Sequence, residues 1–203
     1  VLNASWTRCP GTPLMYGAKK MVEAVRKAIG ESDTESLTIR VGLHPSMDAS
    51  WRLASIDAER FGFSTIVYQG SKKHPYYTDV PAVPLTHKMP LAARASLEAE
   101  FQKLLDGGSV LPLRLGPKTE PAELARVTRQ LGEAGVRYFT YGAIHNRCQQ
   151  CHHVSSGVLA KCEKCGSERL TVLGRLSGRL LPLEMWSEAR RRDLDRIAAY
   201  DVS

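Results

Sequence analysis

Residues 109–141 read SVLPLRLGPKTEPAELARVTRQLGEAGVRYFTY. Residues 109–115 are dense in branched apolar side chains and predict a strand, with Pro112 favouring an edge position or a bulge. Residues 121–132 open on Pro121, which a helix tolerates in its first turn, and predict a helix. Residues 136–141 (VRYFTY) return to strand character. Outward from this strand–helix–strand unit the alternation continues. Residues 91–105 predict a helix with Leu97, Phe101, Leu104 and Leu105 on one face, ended by Gly107 and Gly108. Pro81, Pro84 and Pro90 make the stretch before it extended and irregular. Residues 64–68 (STIVY) predict a short buried strand. Ser46 or Asp48 caps a helix running to about Phe61, and residues 37–43 (LTIRVGL) predict a further strand. The first helix is expected over 14–29, with Met21, Val22, Val25, Ala28 and Ile29 facing inward, Lys19, Lys20, Arg26 and Lys27 outward, and Gly30 as the stop. Residues 1–11 form an irregular lead. Alternating strands and helices from 37 to 141 imply α/β packing with mostly parallel strands and right-handed crossovers.

Composition is that of a globular protein: 203 residues, 43% hydrophobic and 24% charged. No apolar run approaches the length of a membrane span. The segment starting at Val1 lacks the pattern of a signal peptide, and a start without Met points to processing, truncation or a piece of a longer chain. Twenty-eight basic residues against 21 acidic ones give a formal charge of +7. That balance permits an anionic partner without requiring one. The run Arg190-Arg191-Arg192 reads first as a solvated helix face, paired locally with Glu188, Asp193 and Asp195, and second as a contact for RNA or an acidic surface.

After residue 144 the texture changes. Cys148-Gln-Gln-Cys151 is followed ten residues later by Cys162-Glu-Lys-Cys165-Gly166. Each Cys-x-x-Cys turn puts two sulfurs on one side, and two turns facing each other make a tetrahedral sulfur cage suited to zinc. Four thiolates and a zinc ion lower the formal charge to about +5. Two disulfides or an iron–sulfur cluster use the same residues, but the first needs an oxidising compartment and the ribbon-like spacing favours zinc over the second. Four protein ligands close the coordination sphere, so the expected role is structural. His152 and His153 are expected at the surface, and Cys9 as an inert residue.

Several stretches together resemble the C-terminal part of the anaerobic, class III ribonucleotide reductases, which are glycyl-radical enzymes. They are His44-Pro-Ser-Met-Asp-Ala-Ser-Trp-Arg-Leu-Ala-Ser-Ile-Asp57 with Glu59-Arg-Phe-Gly62; His74-Pro-Tyr-Tyr-Thr-Asp79; Asp106-Gly-Gly-Ser-Val110; and Tyr138-Phe-Thr140 leading to the cysteine pairs, Cys165-Gly-Ser167 and Arg175-Leu-Ser-Gly-Arg-Leu180. The resemblance spans about residues 37–200. It implies a partial α/β barrel, the C-terminal piece of a ten-stranded glycyl-radical-enzyme barrel, followed by a four-cysteine zinc ribbon and a C-terminal helix. The corresponding divisions are 1–36 (lead and helix), 37–144 (barrel segment), 145–183 (ribbon and radical-like loop) and 184–203 (basic helix). Gly178 matches the radical glycine; Tyr76 and Tyr77 read first as packing aromatics in a loop and second, with Thr78, as substrate-binding residues. Arg52 and Asp57 read as structural.

In such a family the glycyl radical is installed by a radical S-adenosylmethionine activase and acts through a cysteine on a facing loop. Departures are Arg179 where the family has tyrosine, Asp79 where it has asparagine, and His44 where it has a small residue. The loop bearing the thiyl cysteine is absent, so a partner chain supplying the rest of the barrel is implied. Two readings follow. One is a fragment or split subunit of a ribonucleoside-triphosphate reductase. The other is an enzyme-derived, non-catalytic zinc-ribbon subunit of a larger assembly, ribonucleoprotein or respiratory. The expected location is the cytoplasm or an organelle matrix.

Overall fold

The computed structural model describes residues 13–31, 36–43, 47–78, 83–116, 119–176, 179–194, 197 and 199–200. Cys9, His44, Asp79 and Gly178 lie outside them.

The strand–helix–strand unit forms as its pattern dictates. Strand β3 (Leu111–Leu115) and strand β4 (Phe139–Gly142) pair in parallel, with Leu111 opposite Phe139, and helix α4 (Pro121–Glu133) crosses between them. Leu111, Leu113 and Leu115 alternate inward. They meet Val127 and Leu131 of α4 and Ala95 and Ala99 of helix α3 (Leu91–Leu104), with Val136 closing the cluster. Burying one such leucine contributes about 2 kcal/mol, so this layer is the principal apolar anchor of the fold.

Strand β9 (Ala199–Tyr200) joins β3 on the side away from β4, also in parallel. Pro112 therefore lies in a central strand, not in the edge strand its sequence favours. The reason is hydrogen-bond parity. Leu111 donates toward β4, to the Tyr138 carbonyl at 3.0 Å, whereas Gly116 donates toward β9, to the Tyr200 carbonyl at 3.3 Å. Pro112 shares the parity of Gly116, so its missing N–H falls on the β9 side. There, among the described residues, pairing begins only at Arg114.

Ahead of this layer stand helix α1 (Pro13–Gly30), helix α2 (Met47–Phe61) and the antiparallel hairpin of β1 (Gln69–Ser71) and β2 (His74–Tyr76). Two expected strands differ. Residues 37–43 make one parallel bridge, Gly42 to Gly108, rather than a ladder. Leu37 and Ile39 stay exposed beside it, so the segment gains neither the pairing nor the burial that makes a strand. Residues 64–68 form a turn and an irregular run, and the strand begins at Gln69.

After Gly142 the chain leaves the parallel layer for a four-stranded antiparallel sheet. Its order is β6 (Val154–Ser156), β5 (Ile144–Cys148), β7 (Leu170–Leu176) and β8 (Arg179–Pro182). Trp186, buried after a short 3-10 turn over Leu183–Met185, lies against Gly174 of β7. A Cβ at Gly174 would sit 2.6 Å from the indole, so only glycine admits this contact. Helix α5 (Glu188–Asp193) is shorter than the expected C-terminal helix and ends on an acidic residue, where the helix dipole disfavours one. The described residues combine a parallel α/β layer with an antiparallel ribbon, and they form no closed barrel.

Candidate metal centre and neighbouring clefts

Two chain turns build the cysteine site, and they are copies of one another. In the first, the Cys148 N–H donates to the His153 carbonyl at 2.9 Å and the His152 N–H to the Cys148 carbonyl at 3.1 Å. In the second, the Cys162 N–H donates to the Ser167 carbonyl at 2.8 Å and the Gly166 N–H to the Cys162 carbonyl at 2.9 Å. Both turns need a left-handed residue four places after their first cysteine. Gly166 supplies it at φ 71° and His152 at φ 58°.

The turns face each other with Cys148 Sγ 3.6 Å from Cys165 Sγ and Cys151 Sγ 3.6 Å from Cys162 Sγ. All four sulfurs lie within 4.8 Å of one another. A tetrahedral zinc with Zn–S bonds of about 2.3 Å needs sulfur–sulfur edges of about 3.8 Å, so the cage fits the ion. The protonation pattern fits as well. Backbone N–H groups of Cys151 and Gln150 pull the Cys148 thiol down to about 6. At Cys165 a backbone donor from Ser167 lowers the pKa. The side chain of Cys151, burial, and the side chains of Cys148 and Cys162 outweigh it and push the thiol up to about 12. Four sulfurs this close cannot all be thiolates without a cation; a divalent ion removes that conflict. His152 is exposed and His153 half-buried, outside the cage, as expected.

Tyr76 and Tyr77 are buried rather than open to solvent, at 4% and 2% exposure. Tyr77 packs on Ala54 of α2 and donates its phenol proton to Asp57 at 2.7 Å. Burial and that carboxylate raise its pKa. Thr78 follows with its hydroxyl buried and without a hydrogen-bond partner. The hairpin carrying them touches the chain beyond the ribbon, since His74 Nε2 lies 3.3 Å from Glu188 of α5. Gly178 cannot be placed against either group, because it lies outside the described residues.

The sequence reading missed a buried polar stripe on α3. Arg94, Glu98 and Gln102 recur every four residues and are each at most 1% exposed. Gln102 alone accepts from Arg137 and Tyr138 and donates to the Tyr138 carbonyl, fixing the entry to β4. The signal was the spacing, which also fits a solvated helix face; the alanines beside it, Ala95 and Ala99, marked it as inward. Two clefts were also missed. One of about 340 Å³ opens at the carboxyl ends of β3 and β4, with Gly116, Thr119 and Tyr141 on one wall and His145, Ser156 and Arg175 of the ribbon sheet on the other. The second, about 60 Å³, lies on the sheet face opposite α3 and α4, under Leu85, Trp186 and Ile197.

A parallel α/β layer joined to a four-cysteine ribbon defines the class: an α/β protein whose sulfur cage could hold a metal ion. Residues 15–198 match the family of the anaerobic ribonucleoside-triphosphate reductase, and the chain belongs to that family. In fold it is similar to a solved anaerobic ribonucleotide reductase, with TM-score 0.68 and 22% identity over 93% of this chain and 28% of that one. It is also similar to the anaerobic ribonucleotide reductase from Thermotoga maritima with glycerol in the active site, with TM-score 0.67 and 20% identity over 89% and 27%. The chain thus spans little more than a quarter of the length of these relatives. No curated protein matches it.

Proposed function

We propose that this chain is the C-terminal, ribbon-bearing part of an anaerobic ribonucleotide reductase and works only with the remainder of that fold. The observation that carries the reading is the family match, which runs to residue 198 and so takes in both the sulfur cage and the position of Gly178. In this reading residues 37–144 are the barrel segment, 145–183 the ribbon and radical loop, and 184–203 the basic tail. The three-stranded parallel layer is then an arc of a ten-stranded barrel completed by a partner region, which also supplies the thiyl cysteine.

Cys148, Cys151, Cys162 and Cys165 would hold zinc in a closed, four-ligand site, which leaves no open position for substrate and assigns the ion a structural task. Gly178 stands in the sequence between Leu176, the last residue of β7, and Arg179, the first of β8, so the ribbon sheet holds both flanks of its position. A glycine in that loop can host a backbone radical because its α-carbon lies between an amide donor and an amide acceptor and carries no side chain to block planarity. A radical S-adenosylmethionine activase would install it. Tyr76, Tyr77 and Thr78 would back a substrate-side wall from within, with Tyr77 fixed by Asp57 and the Thr78 hydroxyl buried without a hydrogen-bond partner.

A second reading is favoured by Arg179, an exposed cation next to Gly178 where the resembled family has tyrosine. In it the fold piece persists as a zinc-ribbon subunit of a larger assembly, and the basic tail meets RNA or an acidic surface. Strictly anaerobic isolation, electron paramagnetic resonance and mass spectrometry of bound proteins separate the two. A glycyl doublet, oxygen-dependent cleavage at Gly178 and a partner bearing the missing cysteine support the first. Zinc without a radical, in a large unrelated complex, supports the second.

A further inference from the structure

We propose that Arg94 and Tyr200 form a clasp that makes β9 and the loop over residues 83–87 open and close as one unit, and so sets the size of the smaller cleft. Arg94 is fully buried. Its Nε–H donates to the Tyr200 phenol at 2.6 Å, Nη1 to the Val83 carbonyl at 2.9 Å, and Nη2 to the carbonyls of Pro84 and His87 at 3.1 and 2.7 Å. One rigid, planar fork therefore satisfies the strand on one edge and the loop on the others. Glu98, one turn along α3 and equally buried, accepts from the Val83 N–H at 3.0 Å. Tyr200 in turn accepts from Gly116 through its backbone carbonyl.

If either side lets go, buried donors of the fork lose their acceptors, so release of one favours release of the other. Leu85 of the loop and Ile197, two residues before β9, both roof the cleft of about 60 Å³. That cleft shares Gly142, Ala143 and Arg175 with the neighbouring one of about 340 Å³. Closed, the clasp keeps the smaller cleft small; open, it lifts Leu85 and Ile197 from that cleft and enlarges it beside the larger one.

Hydrogen exchange on the zinc-loaded chain tests this. In the unmutated protein under rising denaturant, the amides of Val83, His87 and Gly116 are expected to follow one opening curve, distinct from that of Val136 in the core. In Tyr200→Phe all three are expected to exchange about tenfold faster or more, with Val136 unchanged. Three separate opening curves would overturn the proposal, as would merging with Val136. So would a faster Gly116 with Val83 and His87 unmoved, or no change in any of them.

Discussion

His152 and Gly166 occupy equivalent places in the two cysteine turns, and only one of them is glycine. The left-handed region costs a side-chain-bearing residue about 1 kcal/mol, part of which glycine gives back in the unfolded chain. His152→Gly is therefore expected to stabilise the zinc-loaded ribbon by about 0.5 kcal/mol, read as a small rise in melting temperature with metal content unchanged. The same sulfurs predict a proton count. Cys148 is already ionised at neutral pH, so zinc loading of the metal-free chain releases fewer than four protons, measurable by titration calorimetry in buffers of different ionisation enthalpy. Four released protons would contradict the pattern. Tyr77 gives a third expectation. Its folded pKa is raised above the unfolded one, so its contribution is full below about pH 10 and is lost as pH rises past that. Tyr77→Phe is expected to flatten the alkaline fall in stability, followed by denaturant unfolding from pH 8 to 11.

Elements carried most of the legible information. Helices α3 and α4 and strands β3 and β4 came within three residues of their expected ends, because each pattern is set by local periodicity or by a proline or glycine at its boundary. Residues 37–43 show the limit. Their alternation is genuine, but a strand also needs a neighbour, and the neighbour available to this segment is a single glycine pair. The polar stripe of α3 was illegible for a related reason: Arg94, Glu98 and Gln102 are inward because loops far away in sequence bring carbonyls and amides to them. Of the candidate site, the four cysteines were readable because metal geometry imposes their spacing, whereas the clefts depend on tertiary approach. Packing between elements also yields a mutation. Gly174→Ala forces the indole of Trp186 away from β7 and is expected to cost about 1–3 kcal/mol, with a red shift in tryptophan emission.

At the scale of the whole molecule, the two sheets rest on different supports. The parallel layer has a buried apolar cluster of its own, whereas the ribbon sheet converges on the sulfur cage. Chelation is therefore expected to release the amides of β5 and β6 to exchange while Leu111, Leu113 and Leu131 stay protected, and re-addition of zinc should restore them. Simultaneous loss of both would show one cooperative unit instead. Among the described residues no helix is long and apolar enough to cross a membrane.

Pro112 has a consequence for alignment. A third strand sliding one notch along β3 toward its start would bring its carbonyls up to a nitrogen that has nothing to give, and the sheet would gain a mute rung. The imino acid thus acts as a ruler mark: it tells an arriving strand where to begin. With that origin set, Ala199 falls opposite Arg114, two places past the mark, and Tyr200 opposite Leu115, three places past it, so Tyr200 is delivered beside Arg94 by counting alone.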